Sequence, residues 1–316
     1  MKDSFGREIN YLRISVTESC NQRCVYCMPP NAPAPKLSVL TDAEIIEIVA
    51  AAAGLGINKI RLTGGEPLTR PGIVELVRGI ASVPGIKDIA MTTNGSLLPE
   101  LAFALKKAGL MRVNISLDTL DAVKFRAITR CGEISDTLNG IDAAFEAGLT
   151  PIKLNTVLMG DVNDDEIYKL VELTRSCPVE LRFIELMPIG DTIQFPESSY
   201  IPCSTVLEKV PRLIPVQSAQ GGVAKLYRLP DGKGRVGLIS PLSEEFCESC
   251  SRLRLTADGC LKPCLHSREE IHLRGLHGSE LAWAIKLAIA HKPREHCPLS
   301  ATERSNAKRD MNRIGG

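Results

Sequence analysis

The chain has 316 residues, of which 44% are hydrophobic and 24% charged, a composition that excludes an intrinsically disordered protein. Its 38 lysines and arginines nearly balance 37 aspartates and glutamates, so the formal net charge of +1 creates no global field to hold nucleic acid or an anionic membrane. We therefore expect neither of these partners. The N-terminal residues MKDSFGREIN contain no apolar signal core, and we expect a cytoplasmic protein.

Short strand-like runs alternate with helical stretches over the first 190 residues, a pattern typical of βα units around a parallel sheet. Between the strands, Thr41 and Glu44 are spaced as a capping box before a helix at 42–53, and Gly109 closes a helix at 99–108. The six expected strands are 12–16, 59–63, 88–93, 112–117, 152–158 and 181–186.

After about residue 190 the pattern changes to turns and short β-like pieces at 226–229 and 235–239. A segment rich in cysteine and arginine follows, and then a helix near 279–291. We interpret residues 1–190 as an α/β domain, an incomplete TIM-like (β/α) barrel of about six strands. Residues 191–316 are interpreted as a C-terminal extension that adds no further strands to the barrel.

Polar side chains recur at every second position of several predicted strands, although helix-covered parallel strands usually read as continuous apolar runs. Because alternate residues face opposite sides, one face of each such strand is polar. An exposed edge strand is the alternative for any single case. The polar faces carry several cations and few carboxylates to pair with them. This excess predicts a partly open barrel that takes a strongly anionic molecule such as a triphosphate. The residues are Lys59, Arg61 and Thr63, Arg112, Asn114 and Ser116, Lys153 and Asn155, with Arg13 and Arg182 from the first and last strands.

Eleven cysteines, an odd number without a secretory signal, favour metal ligation over a disulfide framework. The first cysteine motif, Cys20, Cys24 and Cys27, has CxxxCxxC spacing directly after the first strand. Three thiolates bind three irons of a four-iron cluster and leave the fourth open, whereas structural zinc takes four protein ligands. Zinc remains the alternative.

The second cysteine motif is the pair Cys247 and Cys250 followed by Cys264, with two arginines between them. A CxxC pair fits zinc as well as an iron–sulfur cluster. Cys260 could complete a four-thiolate zinc ribbon, so both interpretations stay open from the spacing alone.

The CxxxCxxC loop, with an aromatic residue before its last cysteine and GGEP after the second strand, resembles the radical S-adenosylmethionine (SAM) superfamily. The resemblance implies a [4Fe-4S] cluster on the first cysteine motif whose open iron chelates SAM. An electron from this cluster would cleave SAM and release a 5′-deoxyadenosyl radical. The implied SAM contacts are Tyr26, Gly65, Ser116 and Met187.

Nearly the whole chain is similar to the GTP 3′,8-cyclases, from LRISVTESCN through RLTGGEPL, MTTNG, VNISLD, LRFIELMPIG and FCESCSRLRLTADGCLKPCL to the final Gly-Gly. This resemblance implies conversion of GTP to (8S)-3′,8-cyclo-7,8-dihydroguanosine 5′-triphosphate, the first step of molybdenum cofactor biosynthesis. It also implies a second [4Fe-4S] cluster, on the second cysteine motif, that holds the substrate. The implied partners are a flavodoxin- or ferredoxin-type electron donor, a second copy of the chain in a homodimer, and a cyclic pyranopterin monophosphate synthase that receives the product.

The resemblance, together with the polar strand faces, selects the candidate site residues. A flexible tail ending in Gly-Gly is expected to reach into the active site. The candidates for GTP binding are Arg13, Arg61, Thr92, Lys153, Arg182, Arg252, Leu253 and Arg254. The candidates for catalysis are Arg252, Arg254, Gly315 and Gly316.

Two other classes of function remain open from the sequence. One is a different radical SAM enzyme with an auxiliary cluster, such as one that modifies a peptide, and the other is a non-enzymatic zinc-ribbon scaffold. Asp118 and Glu185, at strand ends, are candidate acids, bases or partners for the barrel cations. The run 304–309 is expected to be a solvated tail. No role is assigned to Cys131, Cys177, Cys203 and Cys297, and surface or packing roles are expected for His266, His272, His277, His291 and His296.

Overall fold

The computed structural model describes residues 1–31, 38–190, 195–217 and 222–315. Six strands of its first part pair in chain order, and every pair is parallel. Each predicted strand is confirmed to within one residue at either end. The strands are β1 (Tyr11–Ser15), β2 (Lys59–Thr63), β3 (Asp88–Thr93), β4 (Arg112–Ser116), β5 (Lys153–Leu158) and β6 (Glu180–Glu185).

Helices connect these strands and cover their apolar face. The predicted capping box is present, because the Thr41 hydroxyl accepts from the Glu44 amide while the Glu44 carboxylate accepts from the Thr41 amide. Gly109 ends the third helix with φ of 112°, a conformation that glycine adopts without strain. Within the described ranges, no helix has both the length and the apolar character needed to cross a bilayer. The helices are α1 (Asp42–Gly54), α2 (Ile73–Ala81), α3 (Leu98–Ala108), α4 (Ala122–Thr129), α5 (Ile134–Glu146) and α6 (Ile167–Ser176).

The part of the chain after residue 190 folds into short strands and three helices among its described residues. A single-turn 3-10 helix, Cys247–Ser249, lies in the second cysteine motif. The helices are α7 (Ser204–Lys209), α8 (Gly278–Ala290) and α9 (Met311–Ile314). The strands are β7 (Ile214–Val216), β8 (Lys225–Arg228), β9 (Arg235–Ile239), β10 (Arg252–Leu255), β11 (Cys260–Lys262) and β12 (Ile271–His272).

The strands of both parts form one twelve-stranded sheet, in the order β12-β11-β10-β1-β2-β3-β4-β5-β6-β9-β8-β7. The α/β partial barrel with a C-terminal extension is confirmed. The expectation that the extension adds no strands to the barrel is wrong, because β10 pairs with β1 and β9 with β6, both in parallel. The division at residue 190 stays a prediction, and the polypeptide on its two sides shares this sheet.

The parallel part of the sheet is curved. In a flat sheet β1 and β6 would be about 24 Å apart, at about 4.8 Å for each neighbouring pair. Burial lowers the pKa of Arg182 on β6, and the neighbouring Glu180 partly offsets this effect. The charges of Arg61 on β2 and of Tyr11 on β1 also act on the pKa of Arg182. Side chains of the first and last strands therefore face one another across a cavity.

Candidate functional site

Four arginines from three adjacent strands lie on the polar face of the sheet, and we call them the arginine cluster: Arg13, Arg61, Arg252 and Arg254. Register places Arg13 of β1 between Arg61 of β2 and Arg254 of β10, while Arg252 pairs with Tyr11. The sequence predicted each of these residues for the site. The structure shows that strand pairing brings them together.

Leu253 was also predicted for the GTP site, but its side chain faces away from the cavity. It pairs with Leu12 on the apolar face, where both side chains are almost fully buried. Successive residues of a strand point to opposite faces, and the neighbours of Leu253 belong to the arginine cluster. Any contact from Leu253 to a ligand in the cavity therefore comes from its backbone.

The arginine cluster creates a strongly positive region. Burial lowers the pKa of Arg13, and neighbouring Arg254 lowers it further. Burial and Arg252 lower the pKa of Arg254 to about 10. Burial would raise the pKa of Tyr11, yet Arg61 and Arg13 outweigh it, and the net shift is downward. An anion bound here would relieve this repulsion.

Three further predicted cations on this face, Arg112, Lys153 and Arg182, have carboxylate partners. The Glu180 carboxylate lies 3.3 Å from Lys153 Nζ and 2.5 Å from Arg182 Nη2, and Asp88 pairs with Arg112. The expectation of few inward carboxylates is therefore wrong for this side of the cavity, because two strands begin with acidic residues. Thr92, another predicted residue, accepts a hydrogen bond from Arg61 Nη1 at 3.4 Å.

Two buried amide oxygens on the cavity face have no hydrogen-bond partner, Oδ1 of Asn114 and Oδ1 of Asn155. Asn155 is the register partner of Ser116, one of the expected SAM contacts, at the end of β4. Leaving a buried polar atom unpaired costs about 1–3 kcal/mol, so such atoms indicate a place where a polar ligand binds. These positions fit a nucleoside-containing molecule such as SAM or GTP.

The loop of the first cysteine motif follows the carboxyl end of β1 and is held by the turn after β2. The Gly65 amide donates to the Thr17 carbonyl at 2.9 Å, and the Glu66 amide donates to the Ser19 carbonyl at 2.7 Å. A Cβ atom on Gly65 would lie 2.3 Å from the Ser19 carbonyl oxygen. Glycine at position 65 therefore permits the close approach of the cysteine loop.

The three thiols of the first cysteine motif form a group that suits metal binding. Burial raises the pKa of Cys20 and of Cys27 to about 12, and it also raises that of Cys24. Thiolate charge on any one of them would act on the others, so they are neighbours. A metal cluster would displace the thiol protons and neutralise the buried charge, so the donor set fits an iron–sulfur cluster.

The C-terminal tail lies beside the first cysteine motif and the arginine cluster. The backbone of Asn312 hydrogen-bonds the Cys27 sulfur, and Arg254 Nη1 donates to the Gly315 carbonyl. Gly315 is buried with φ of 81°, and a Cβ atom there would lie 2.8 Å from Thr63 Cγ2. Gly315 thus lies beside Arg254 and Thr63, and Gly316 is outside the described residues.

The two cysteine motifs lie at opposite ends of the parallel strands β1 and β10. Cys247 and Cys250 precede the amino end of β10, which is parallel to β1. The antiparallel β11 returns Cys264 to this same end of β10. The four residues of β10 span about 13 Å. The arginine cluster therefore lies between the two cysteine motifs.

The three sulfurs of each cysteine motif are not all as close together as the ligands of one tetrahedral ion. Within the part of the chain that the structure describes, the only three His, Cys, Asp or Glu side chains with ligand atoms mutually within 4.8 Å are Glu245, Cys247 and His296. Two thiolates on one tetrahedral zinc would be about 3.8 Å apart. The cysteines of each motif are thus spread more widely than zinc requires.

Cys260 lies in a different environment from the second cysteine motif. Its sulfur is 3.3 Å from His272 Nδ1 and 3.4 Å from Arg309 Nη2. Arg309 also pairs with Asp258 and Glu270, so this end of the 304–309 run is not the solvated tail that was expected. Burial raises the pKa of Cys260, followed by the charge of Asp258. These contacts speak against Cys260 as a fourth ligand.

Comparisons with known proteins identify the family. The family model described as the radical SAM superfamily matches residues 14–174, and the one described as Molybdenum Cofactor Synthesis C matches residues 179–298. The chain is 49% identical over 321 residues to a GTP 3′,8-cyclase of Alkaliphilus oremlandii, with 100% of both chains covered. The chain belongs to the GTP 3′,8-cyclase family of radical SAM enzymes. It is also 50% identical over 322 residues to a family member of Peptoclostridium acidaminophilum, with 99% of this chain and 98% of that protein covered.

Solved structures share the fold at low sequence identity. Streptococcus suis SuiB bound to S-adenosylmethionine is 14% identical, with a TM-score of 0.61 over 89% of this chain and 68% of that chain. Methylornithine synthase is 18% identical, with a TM-score of 0.51 over 65% of this chain and 63% of that chain. The partial barrel of this GTP 3′,8-cyclase family member is thus a radical SAM fold.

The remaining residues predicted to bind SAM lie near the carboxyl ends of the parallel strands, as the first cysteine motif does. Ser116 ends β4, and Met187 follows β6, both half-buried. The Tyr26 hydroxyl donates to Asp118 Oδ2 at 2.6 Å, and Asp118 Oδ1 accepts from the Val157 amide at 2.8 Å. Asp118 thus orients Tyr26.

Glu185, the other candidate acid or base, holds the chain after β6 in place. Its carboxylate accepts from the backbone amides of Cys203, Leu242 and Ser243 at 2.9 to 3.0 Å. The side chain is 2% exposed, and its oxygens are occupied by these donors. Glu185 is therefore a structural anchor in this family member, with no contact to the arginine cluster among the described ones.

Replacing Tyr26 with phenylalanine is expected to leave the KM for SAM within about threefold of wild type. The hydroxyl is already committed to Asp118, so a contact with SAM would come from the ring. Losing a hydrogen bond to a charged acceptor should lower the free energy of unfolding by about 1.5–3 kcal/mol. Steady-state SAM cleavage and denaturant unfolding measure the two quantities. A tenfold increase in KM with unchanged stability would show that the hydroxyl itself binds SAM.

Two histidines that the sequence assigned to packing or the surface lie beside the second cysteine motif. The His296 ring hydrogen-bonds Cys247, which raises the pKa of His296 to about 9. The ring centroids of His266 and His296 are 4.7 Å apart. Burial lowers the pKa of His266 to about 3. His266 is two residues after Cys264, a proximity visible in the sequence. The position of His296, after α8, could be found only from the fold.

Proposed function

We propose that the chain converts GTP to (8S)-3′,8-cyclo-7,8-dihydroguanosine 5′-triphosphate, the first step of molybdenum cofactor biosynthesis. The proposal includes two [4Fe-4S] clusters, one on the first cysteine motif that binds SAM and one on the second that binds the substrate. The observation that carries it is the parallel pairing of β10 with β1. This pairing puts the arginine cluster between the two cysteine motifs, where a triphosphate fits.

The arginine cluster is proposed to bind and orient GTP. Guanidinium groups match phosphate oxygens with two parallel hydrogen bonds, and their charge is always present. Lys153 and Arg182 would complete the opposite wall, with their charge reduced by Glu180. Thr92 would hold Arg61 in orientation through the hydrogen bond already formed. The substrate is thus fixed between the two cysteine motifs before reaction.

Positioning is the main task of the protein in this reaction. When bound, SAM and its cluster supply radical chemistry that removes hydrogen from the GTP ribose, while the protein aligns the substrate and excludes water. The C-terminal tail suits this task, because Gly315 is buried against β1 and β2 and accepts a hydrogen bond from Arg254. We propose that Gly315 borders the ribose and that Gly316, outside the described residues, belongs to the same catalytic set.

The cellular setting is part of the same proposal. Oxygen-sensitive clusters and free thiols suit a reducing cytoplasm. A flavodoxin- or ferredoxin-type donor would reduce the SAM-binding cluster, and a cyclic pyranopterin monophosphate synthase would take the product. A homodimer is proposed from the family resemblance.

One anaerobic assay tests this function. The purified chain is reconstituted with iron and sulfide, reduced, and supplied with SAM and either GTP or ATP. We expect 5′-deoxyadenosine and a cyclised nucleotide in equal amounts with GTP, and no cyclised nucleotide with ATP. Release of 5′-deoxyadenosine without consumption of GTP would favour a different radical SAM substrate, such as a peptide. Zinc on the second cysteine motif together with no binding of GTP would refute the proposal.

A further inference from the structure

The tail that carries Gly315 has little regular structure of its own to fix its position. Residues 291–310, all of them described, contain no helix or strand, and α9 has only four residues. A helix of one turn is unstable in isolation, because the first turn fixes several residues for few hydrogen bonds. Contacts from outside the tail must therefore hold it in the cavity.

The side chain just before α9 binds two carboxylates of the C-terminal extension, and we call these three residues the Arg309 clasp: Arg309, Asp258 and Glu270. The guanidinium meets Glu270 side-on, with Nε 2.8 Å from Oε1 and Nη2 2.6 Å from Oε2. Its Nη1 donates to both oxygens of Asp258, at 3.0 and 2.9 Å. The three side chains are only 15% to 18% exposed. Such paired, charge-assisted hydrogen bonds are stronger than ordinary surface ion pairs.

The two carboxylates of the Arg309 clasp are themselves fixed. Asp258 lies in the turn between β10 and β11, and its Oδ1 accepts from the Thr256 hydroxyl at 2.6 Å. Glu270 directly precedes β12 and lies 3.3 Å from Nζ of Lys262, a fully buried residue of β11. Because β10 also carries Arg252 and Arg254, the Arg309 clasp holds the tail on the strands that support the arginine cluster.

A single hydrogen-bonded turn links the Arg309 clasp to Gly315. The Gly315 amide donates to the Met311 carbonyl at 3.2 Å, and the intervening Ile314 is 1% exposed. Release of Arg309 would free the start of this turn. The Gly315 carbonyl, which accepts from Arg254, would then lose its fixed position.

We propose that Arg309 is a positioning residue for the reaction, because the Arg309 clasp sets the place of Gly315 beside the substrate. The inference rests on the proposed function, which assigns Gly315 to the ribose. Binding of GTP needs the arginine cluster, whereas cyclisation also needs the ribose to be aligned. Loss of the Arg309 clasp therefore uncouples 5′-deoxyadenosine release from cyclisation and leaves GTP binding intact.

Three variants test this role in the full chain reconstituted with iron and sulfide. Arg309→Met removes the charge and the donors while keeping most of the volume. Arg309→Lys keeps the charge but not the planar fork. Asp258→Asn removes the charge of one carboxylate at constant size. Lys308→Met is the control, since Lys308 is the exposed neighbour of Arg309 in the same run.

Four quantities are measured for each variant. They are the cyclised nucleotide formed per 5′-deoxyadenosine, the equilibrium binding of GTP, the iron per chain, and hydrogen exchange of the backbone amides at 311–315.

We expect Arg309→Met to form about tenfold less cyclised nucleotide per 5′-deoxyadenosine, a loss typical of a displaced positioning group. Its GTP binding should stay within about twofold of wild type, its iron content should not change, and its amides at 311–315 should exchange faster. Arg309→Lys and Asp258→Asn should each lose less than Arg309→Met. Combining Asp258→Asn with Arg309→Met should add no further loss, because the two residues act through one contact. Lys308→Met should match wild type.

An unchanged product ratio in Arg309→Met would overturn the inference, and so would an equal loss in Lys308→Met. Loss of iron, GTP binding and cyclisation together would show that Arg309 supports the whole fold. If Arg309→Met does not fold, Asp258→Asn decides, since an unchanged product ratio there would overturn the Arg309 clasp. A wild type that forms no cyclised nucleotide would contradict the proposed function. Exchange at 311–315 needs no substrate, so unchanged exchange in Arg309→Met would still refute the Arg309 clasp.

Discussion

Replacing Gly65 with alanine is expected to remove the iron of the first cysteine motif and to abolish reductive cleavage of SAM. The new Cβ atom would lie 2.3 Å from the Ser19 carbonyl oxygen and 2.7 Å from that of Glu18. These are backbone atoms, so the loop itself has to move. Cys20 follows Ser19 directly, and a functional site tolerates displacements of only about 0.5 Å.

Two quantities measure this effect. They are the iron content per chain and the electron paramagnetic resonance signal of the first cluster, which responds to SAM. Iron should fall from about eight to about four atoms per chain, the content of one remaining cluster. Gly54→Ala is the matched control, because a Cβ atom there would meet no heavy atom within 4 Å. A Gly65→Ala protein with full iron and normal SAM cleavage would show that the loop can shift without losing the cluster.

Replacing Arg254 with methionine is expected to weaken GTP binding by about 10- to 100-fold. Arg254 is 7% exposed within the arginine cluster, and a hydrogen bond to a charged group contributes about 1.5–3 kcal/mol. Methionine keeps most of the volume while removing the charge and the donors. Because Arg254 belongs to the proposed substrate wall and not to the first cysteine motif, SAM cleavage without GTP should change by less than about twofold.

Equilibrium binding of GTP and uncoupled 5′-deoxyadenosine release separate these two effects. Arg228→Met is the control, since Arg228 is exposed on β8, away from the arginine cluster. Equal loss of GTP binding and of SAM cleavage in the Arg254 variant would mean that Arg254 supports the whole barrel. Unchanged GTP binding would remove it from the substrate site.

The sequence was sufficient to predict the parallel strands and their polar face, because both follow from a two-residue period. Strand positions were correct to within one residue, and register then brought Arg13 beside Arg61 as the shared face required. The capping box at Thr41 and the glycine end at Gly109 were also predicted, since each depends on a few neighbouring residues.

Long-range pairing was not visible in the sequence. β10 has four residues between cysteines and turns, and nothing local distinguishes it from a loop, yet its partner is β1 at the other end of the chain. The acidic partners of the barrel cations were missed for a related reason. Glu180 and Asp88 each start a strand, a position that does not reveal whether a side chain turns inward.

The contact of His296 with Cys247 was not predicted, because it depends on tertiary structure. His296 has no ligand spacing to Cys247 in the sequence, and only the path of the chain after α8 brings the two together. For Leu253, the motif did not reveal which way the side chain faces. A motif names it beside two arginines, but alternation along β10 turns its side chain to the apolar face.

The pairing of β1 with β10 also has a consequence for how this chain folds. Hydrogen bonds between opposite ends of a polypeptide form late, because a long loop must close before they can be made. Until β10 emerges from the ribosome, one edge of β1 has no partner, and an unpaired strand edge promotes aggregation. We therefore expect chains that end before residue 252 to be recovered mainly as insoluble material.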